Sequence, residues 1–319
     1  MRQKLPNHEI AITFFLWIIL TGNLFFPVDI AQCNSIQDVK PQFHQAFFTE
    51  FRAIQMINKN DSWAQAGELE SVANVWMFRK ELILRTKDGG ESWMCVLSLS
   101  PGQSVKTYFS NSQFAWIAAY YEYGATDLTF FGTTNGGTSW TTNYLCQTHP
   151  ILDCSLSFPL SNKGWLMLVP EHGMNSSPAD LYLTQDKGLN WQKINSTDLS
   201  PREWIWENAT LPEFGNRHSY LICGGSMAFR SDYVGWLWGS LASTSPSFLF
   251  ITQDGGRNWQ VQLLPLLPQF QGGRIDPIGS PQFFWRGKNG ILPTQFVQDS
   301  SSSASFATII YTTHDGGSS

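Results

Sequence analysis

Residues 184–191 read Thr184-Gln-Asp186-Lys-Gly188-Leu-Asn-Trp191. The phrase returns as Thr86-Lys-Asp88-Gly-Gly90-Glu-Ser-Trp93, Thr133-Thr-Asn135-Gly-Gly137-Thr-Ser-Trp140, Thr252-Gln-Asp254-Gly-Gly256-Arg-Asn-Trp259 and Thr313-His-Asp315-Gly-Gly317-Ser-Ser319. Self-similarity on one plan is the mark of a repeat architecture, so this phrase decides the fold. Each copy has the chemistry of a tight hairpin: a carboxylate that accepts from nearby backbone N–H groups, a glycine that takes positive φ, and a Trp that packs across the turn. The second copy carries Asn135 in place of the aspartate, and the fifth runs out one residue before its Trp slot.

Upstream of every copy lies a second signature, a large apolar residue followed seven positions later by another: Met56 and Trp63, Phe109 and Trp116, Phe158 and Trp165, Phe229 and Trp236, Phe284 and Ile291. The clearest unit divides into four short strands. Cys154–Phe158 alternates, Ser161–Gly164 is a turn, and Trp165–Val169, Leu181–Thr184 and Asn190–Ile194 complete the set. Four strands per unit at a regular repeat predict an all-β propeller of four-stranded blades. The expected blades span about 48–100, 101–147, 148–195, 221–268 and 277–319, with an insertion at 196–220 and a possible closing strand or linker at 34–47. Because the sequence ends inside the fifth hairpin, the last blade is expected to be cut short and the chain to be a fragment.

Composition supports a folded, exported chain. Lys and Arg number 20 against 25 Asp and Glu, a net charge of −5, which argues against a nucleic-acid-binding footprint. The 14 Trp and 23 Phe exclude a disordered chain. Arg2 and Lys4 precede the apolar run Ile10–Leu20, which continues weakly to Val28, the layout of a signal peptide or of an N-terminal membrane anchor over 1–33. Both forms stay open: Asp29 and Gln32 fit cleavage near Ala31 and lipidation at Cys33 imperfectly. The expected location is extracellular, periplasmic or membrane-anchored, with membrane contact through that segment alone. Cys95, Cys146, Cys154 and Cys223 follow no zinc spacing, and Cys146 with Cys154 either closes a short loop or leaves free buried thiols. Sequons stand at Asn60, Asn175, Asn195 and Asn208.

The T-x-D-G-G-x-S-W phrase resembles the Asp-box, or bacterial neuraminidase repeat, of sialidases, sortilin-type receptors and the photosystem II assembly and stability factor family. With its preceding apolar strand, turn and Gly-Trp, it is most similar to the last of these and its uncharacterised bacterial relatives, over about residues 48–319. The resemblance implies a propeller and, from the assembly factors, a role in building a membrane complex. It does not settle function, because unrelated activities share the device. Asp88, Trp93, Asn135, Trp140, Asp186, Trp191, Asp254, Trp259 and Asp315 are read as scaffold, since a turn residue recurring once per blade cannot converge on one site.

The binding surface is expected opposite the hairpins, where the connections vary: Ala119–Asp127, Pro170–Ala179, Ser240–Ser247, Gln298–Ser305 and the long Ser196–Tyr220. Arg202, Trp204, Trp206, Glu207, Arg217, His218 and Tyr220 there, with Tyr121, Tyr123 and Glu171, set aromatic planes beside charges, a mixture suited to a sugar or a protein partner. A self-packing loop fits the long insertion equally well. A sialidase would need three arginines gripping a carboxylate, a Tyr/Glu nucleophile pair and an acid/base aspartate. The Arg-Ile-Pro element of the first blade is absent, Phe78-Arg79-Lys80 being the nearest string, and no spacing compels Glu171, Glu207 or Tyr220 into those roles. No phosphate loop, nucleophile elbow or metal cluster is present in the sequence, and no cofactor is implied. The reading is therefore a noncatalytic propeller that binds a protein or carbohydrate, with a sialidase-like exo-glycosidase as the alternative.

Overall fold

The computed structural model describes residues 48–317 apart from 73–74, 101, 122–125, 148, 160–161, 171–178, 197–208, 211–220, 223–226, 242–246, 263, 266–273, 285–287 and 300–303. Every regular element among them is a strand. The fold is all-β and of the propeller class: five antiparallel blade sheets, the last with three strand positions. By chain contacts the molecule divides into two compact units, Met1–Gly102 and Gln103–Ser319.

The first unit holds one blade, a meander of β1 (Phe48–Met56), β2 (Ser62–Val72), β3 (Val75–Thr86) and β4 (Met94–Leu99). Side chains alternate across a strand. Ala64, Ala66, Leu82 and Leu84 therefore share one face, where Phe51, Ile54, Trp93 and Cys95 pack on them. On β3, Glu81 is buried and ion-paired to Arg52 on β1 at 2.6 Å. Burial pushes the Glu81 carboxyl above its usual range, and the Arg52 charge and a bond from Gln65 only partly counter it.

The second unit contains four blades. Blade two is β5 (Gln103–Phe109), β6 (Ala115–Tyr121), β7 (Asp127–Thr133) and β8 (Thr141–Cys146). Blade three is β9 (Ile151–Ser157), β10 (Gly164–Pro170), β11 (Asp180–Thr184) and β12 (Gln192–Ser196). Its last strand begins later than the sequence predicts. Asn190 belongs to the hairpin, giving its backbone N–H to Asp186 Oδ1 at 2.8 Å and its side-chain amide to Oδ2 at 2.7 Å.

Following the short strand β13 (Ala209–Thr210), blade four opens with β14 (Leu221–Ile222) and β15 (Met227–Phe229). Both pair with β16 (Gly235–Leu241), which continues to β17 (Ser247–Thr252) and β18 (Trp259–Gln262). β13 lies parallel on the outer edge of β18, so part of the long insertion adds a strand to blade four. In blade five β19 (Arg274–Pro277) and β20 (Gln282–Phe284) share the inner edge of β21 (Asn289–Asp299), and β22 (Ala304–Thr313) pairs its other edge.

Aromatic ring contacts join each blade of this unit to the next. Trp116 of blade two stacks on Phe158 of blade three at 3.9 Å, and Trp165 of blade three on Phe229 of blade four at 3.9 Å. Trp236 of blade four meets Phe283 of blade five at 4.7 Å. The partner in blade five is thus Phe283 rather than the Phe284 that the sequence spacing selects. Phe283 opposes Gly290 across the turn, where Phe229 opposes Gly235, so this turn is one residue longer.

Hydrogen bonds tie the same seams. Trp116 Nε1 donates to Lys187 O at 3.0 Å and Trp165 Nε1 to Gly255 O at 2.9 Å, both on the hairpin of the following blade. The last strands reach over as well: Asn195 donates to Gly256 O at 3.0 Å, Gln262 to Gly317 O at 2.9 Å, and Asn143 to Leu189 O. Gly256 sits where a Cβ would lie 2.6 Å from Leu181 of the preceding blade, at φ +93°. Close approach and backbone conformation thus both demand glycine there.

Candidate functional site

Antiparallel order places the β5–β6 and β7–β8 turns of blade two at one end and its β6–β7 connection at the other; blades three and four follow suit. The hairpin end is chemically closed. In every copy the Thr hydroxyl donates to the following carboxylate or amide oxygen: 2.6 Å for Thr86 to Asp88, 3.0 Å for Thr133 to Asn135, 2.8 Å for Thr184 to Asp186, 2.9 Å for Thr252 to Asp254 and 2.7 Å for Thr313 to Asp315. The same hydroxyl accepts from the second glycine N–H, as at Gly188 and Gly256, both 2.9 Å. The acceptor oxygen also takes the N–H four residues on, from Ser92, Ser139, Asn190 and Asn258.

Burial opposes ionisation of Asp186 and Asp254, but bonds from Asn190 or Asn258 and from the threonines outweigh it and hold both carboxyls below the usual range. Asp88 is held lower still, chiefly by Ser92 and Thr86. Asn135 keeps the geometry without the charge: its Oδ1 accepts from Ser139 N at 3.0 Å and its amide donates to Ser139 Oγ at 2.8 Å. Trp259 Nε1 closes its own hairpin on Gly256 O at 3.1 Å. Trp93 packs at a tilt against Phe51 at 5.4 Å, and Trp191 meets Phe130 edge-on at 5.1 Å. Trp140 is half-buried.

The opposite end presents functional groups of several kinds. Lys106, on the innermost strand of blade two, pairs with Asp153, on the innermost strand of blade three, at 2.8 Å. The buried Tyr120 donates its hydroxyl to the same Asp153 oxygen at 3.4 Å. The next residue, Tyr121, turns outward and is 42% exposed. Behind them Tyr182 donates to Gln147 at 3.2 Å, and burial keeps that phenol protonated by raising its pKa. Asp180 is held by Ser196 Oγ at 2.6 Å and Lys193 Nζ at 2.7 Å. The Lys106–Asp153 pair is partly exposed, so its contribution to stability is only about 0–1 kcal/mol and both charges can be redirected to a ligand at little cost.

Of the residues singled out by sequence for binding, Tyr121 falls on this surface. Tyr123, Glu171, Arg202, Trp204, Trp206, Glu207, Arg217, His218 and Tyr220 lie outside the described residues. Tyr120 stands in the aromatic run that the sequence offers beside Tyr121, whereas Lys106 and Asp153 were not found by sequence reasoning. Their only signal is a charge placed mid-strand in otherwise uncharged innermost strands. Among the described residues, no three His, Cys, Asp or Glu side chains group as a metal site, and no helix is long and apolar enough to cross a membrane. Cys154 is a fully buried free thiol, so it does not bridge to Cys146, and burial drives its pKa well above that of an ordinary thiol.

No protein-family model matches the chain, and no curated protein matches it. Solved structures do resemble it. One described as YCF48 bound to D1 peptide is 15% identical, with 86% of this chain and 83% of that one covered, at a TM-score of 0.37. A fucose-specific lectin from Aleuria aurantia is 8% identical over 79% and 70% of the two chains, at 0.46. An exo-β-1,3-galactanase from Phanerochaete chrysosporium is 11% identical at 0.41, and the aligned part covers 81% of this chain and 59% of the galactanase.

Proposed function

We propose that this chain is a noncatalytic, exported propeller scaffold that binds a protein or glycan partner at the end opposite its hairpins, in the manner of the photosystem II assembly and stability factors that its Asp-box motif resembles. The observation that carries the proposal is the asymmetry of the two ends. At the hairpin end the carboxylates, hydroxyls and glycine N–H groups are engaged with one another in every copy. At the other end Tyr121 is exposed at the end of β6, while the Lys106–Asp153 pair and the Tyr120 hydroxyl meet between blades two and three. Aromatic rings and paired charges gathered at one end of the blades are the kind of groups that anchor a peptide or a sugar ring. In this reading the N-terminal apolar segment directs export or tethers the propeller to a membrane.

The test is binding of the purified chain to paired peptide and glycan arrays, repeated with Tyr121→Ala and Asp153→Asn. Loss of about 1.4–2.8 kcal/mol on truncating an anchor lowers affinity tenfold to a hundredfold. Binding that both variants leave unchanged would place the partner elsewhere. Hydrolysis of a fluorogenic sialoside or galactoside, lost in Asp153→Asn, would instead establish the exo-glycosidase.

A further inference from the structure

The hairpin of blade two carries Asn135 where the other four copies carry aspartate, and Gly136 follows it. Asparagine is a chemically labile residue, and glycine after it, with no Cβ to hinder approach, invites attack by the backbone. The glycine nitrogen bonds to the side-chain Cγ, its proton leaves with the side-chain nitrogen as ammonia, and a cyclic imide remains. Water then opens the ring at either carbonyl. Opening at the side-chain carbonyl gives aspartate on an unaltered main chain. Opening at the main-chain carbonyl gives isoaspartate, whose backbone runs through the side-chain carbons and is longer by one carbon.

The folded hairpin keeps the reacting groups apart. Gly136 is buried and donates its N–H to Gln113 O at 2.9 Å, while Asn135 Oδ1 accepts from Thr133 Oγ1 and Ser139 N, both at 3.0 Å, and its amide donates to Ser139 Oγ at 2.8 Å. Attack requires that these bonds break together. The two products differ in how they fit the closed hairpin. In blade one, Asp88 Oδ1 takes the same bonds from Thr86 and Ser92 N, and Oδ2 accepts from Ser92 Oγ. An aspartate in blade two therefore needs only a rotation of the Ser139 hydroxyl from acceptor to donor, and its bonds gain strength from the charge. It also resists a second round, because Asp88 and Asp254, which precede glycine in the same way, are held ionised, a form that a backbone nitrogen does not attack. Isoaspartate inserts a carbon just before two N–H groups that are both tied, Gly136 to Gln113 O and Gly137 to Thr133 Oγ1 at 3.0 Å, on glycines fixed at φ +70° and +82°. The hairpin has no slack to absorb it.

We propose that Asn135 is a spontaneous deamidation site that opens only when blade two opens: the hairpin takes back the aspartyl product, which gives it the chemistry of the other four copies, and rejects the isoaspartyl product. Water is the only co-reactant, and ammonia the only group released.

Native and urea-unfolded full chain, incubated side by side in mildly alkaline buffer, test this. The unfolded sample is then refolded, folded and unfolded protein are separated by size, and peptide mass spectrometry distinguishes asparagine, aspartate and isoaspartate. Asn289–Gly290, the other Asn–Gly pair of the sequence, verifies that the unfolded chain has reacted. Asn135 is expected to deamidate at least about tenfold more slowly in the native sample, since reaction there waits on local opening. After refolding, aspartate at this position is expected in the folded fraction and isoaspartate in the unfolded fraction alone. Equal rates in the native and unfolded samples would overturn the proposal, as would isoaspartate at this position in folded protein. Asn135→Asp, made directly, gives an independent readout: a urea midpoint at or above that of wild type supports the fit of the product, and a lower one refutes it.

Discussion

Replacing Thr184 by Val keeps the β-branched shape of the side chain and deletes one oxygen, which isolates what the hairpin hydroxyl does. That oxygen accepts from Gly188 N at 2.9 Å and from Asp186 N at 3.3 Å, and its proton goes to Asp186 Oδ1 at 2.8 Å. Thr184 and Gly188 are both buried, so water cannot replace the acceptor that Gly188 N–H loses. A buried donor left unpaired costs about 1–3 kcal/mol, and the lost bond to Asp186 adds roughly 1 kcal/mol, for a total near 3 kcal/mol. For a unit of this size that is a fall of about 6–12 °C in Tm. Thr313 makes the same three bonds in the fifth hairpin, where Thr313 and Gly317 are only half-buried. There water can substitute, so Thr313→Val is expected to cost about 1 kcal/mol. Urea unfolding followed by tryptophan fluorescence measures both, with unchanged m-values confirming that stability alone has shifted. Equal losses in the two variants, or a loss below about 1 kcal/mol at Thr184, would refute the argument that burial makes the hydroxyl indispensable.

Three further expectations follow from the same geometry. Because Asp186 and Asp254 titrate lower folded than unfolded, the stability they contribute is complete above the ordinary carboxylate pKa of about 4 and is lost as pH falls below it; Asp254→Asn should therefore flatten the acid limb of a stability–pH curve, and an unaltered limb would assign acid lability to other groups. Cys154 should resist iodoacetamide in the native protein and react only on unfolding, because its thiol is fully buried and its pKa raised; mass spectrometry of the labelled peptide under native conditions decides this. Asn195→Asp turns an amide donor into a carboxylate facing Gly256 O and Arg257 O across the seam of blades three and four, and should destabilise by about 2–4 kcal/mol at pH 7, with partial recovery at pH 4; no recovery in acid would mean that charge is not the cause.

The scaffold was legible in the sequence because its devices are local and periodic. Thr184, Asp186, Gly188 and Trp191 stand within one hairpin, and the large residue and the Trp that flank each first turn, such as Phe158 and Trp165, recur seven residues apart. What escaped depends on register or on residues far apart in sequence. One extra residue in the blade-five turn moved the stacking ring from Phe284 to Phe283, and a one-residue slip reverses a strand's faces, which composition alone cannot reveal. β13 pairs in parallel with a strand some fifty residues later, and no local pattern encodes that. Lys106 and Asp153 meet only because successive blades bring their innermost strands together.

This separation explains why the motif that reveals the fold says little about chemistry. A carboxyl that is to act as a general acid must hold its proton near the working pH and be reachable by substrate. Asp186 and Asp254 fail the first condition, since the hydrogen bonds that shape the hairpin also pin them in the ionised form. Glu81 meets it in direction, its pKa raised by burial, but fails the second: it is buried, with its oxygens turned to Arg52 and Gln65. Asp153 alone among these joins partial exposure to neighbours that can be redirected, a lysine and a phenol, at the end where the loops differ from blade to blade. Recognition or chemistry, whichever this protein performs there, must draw on the parts of the chain that depart from the repeat, because the repeated parts are already committed to holding the blades together.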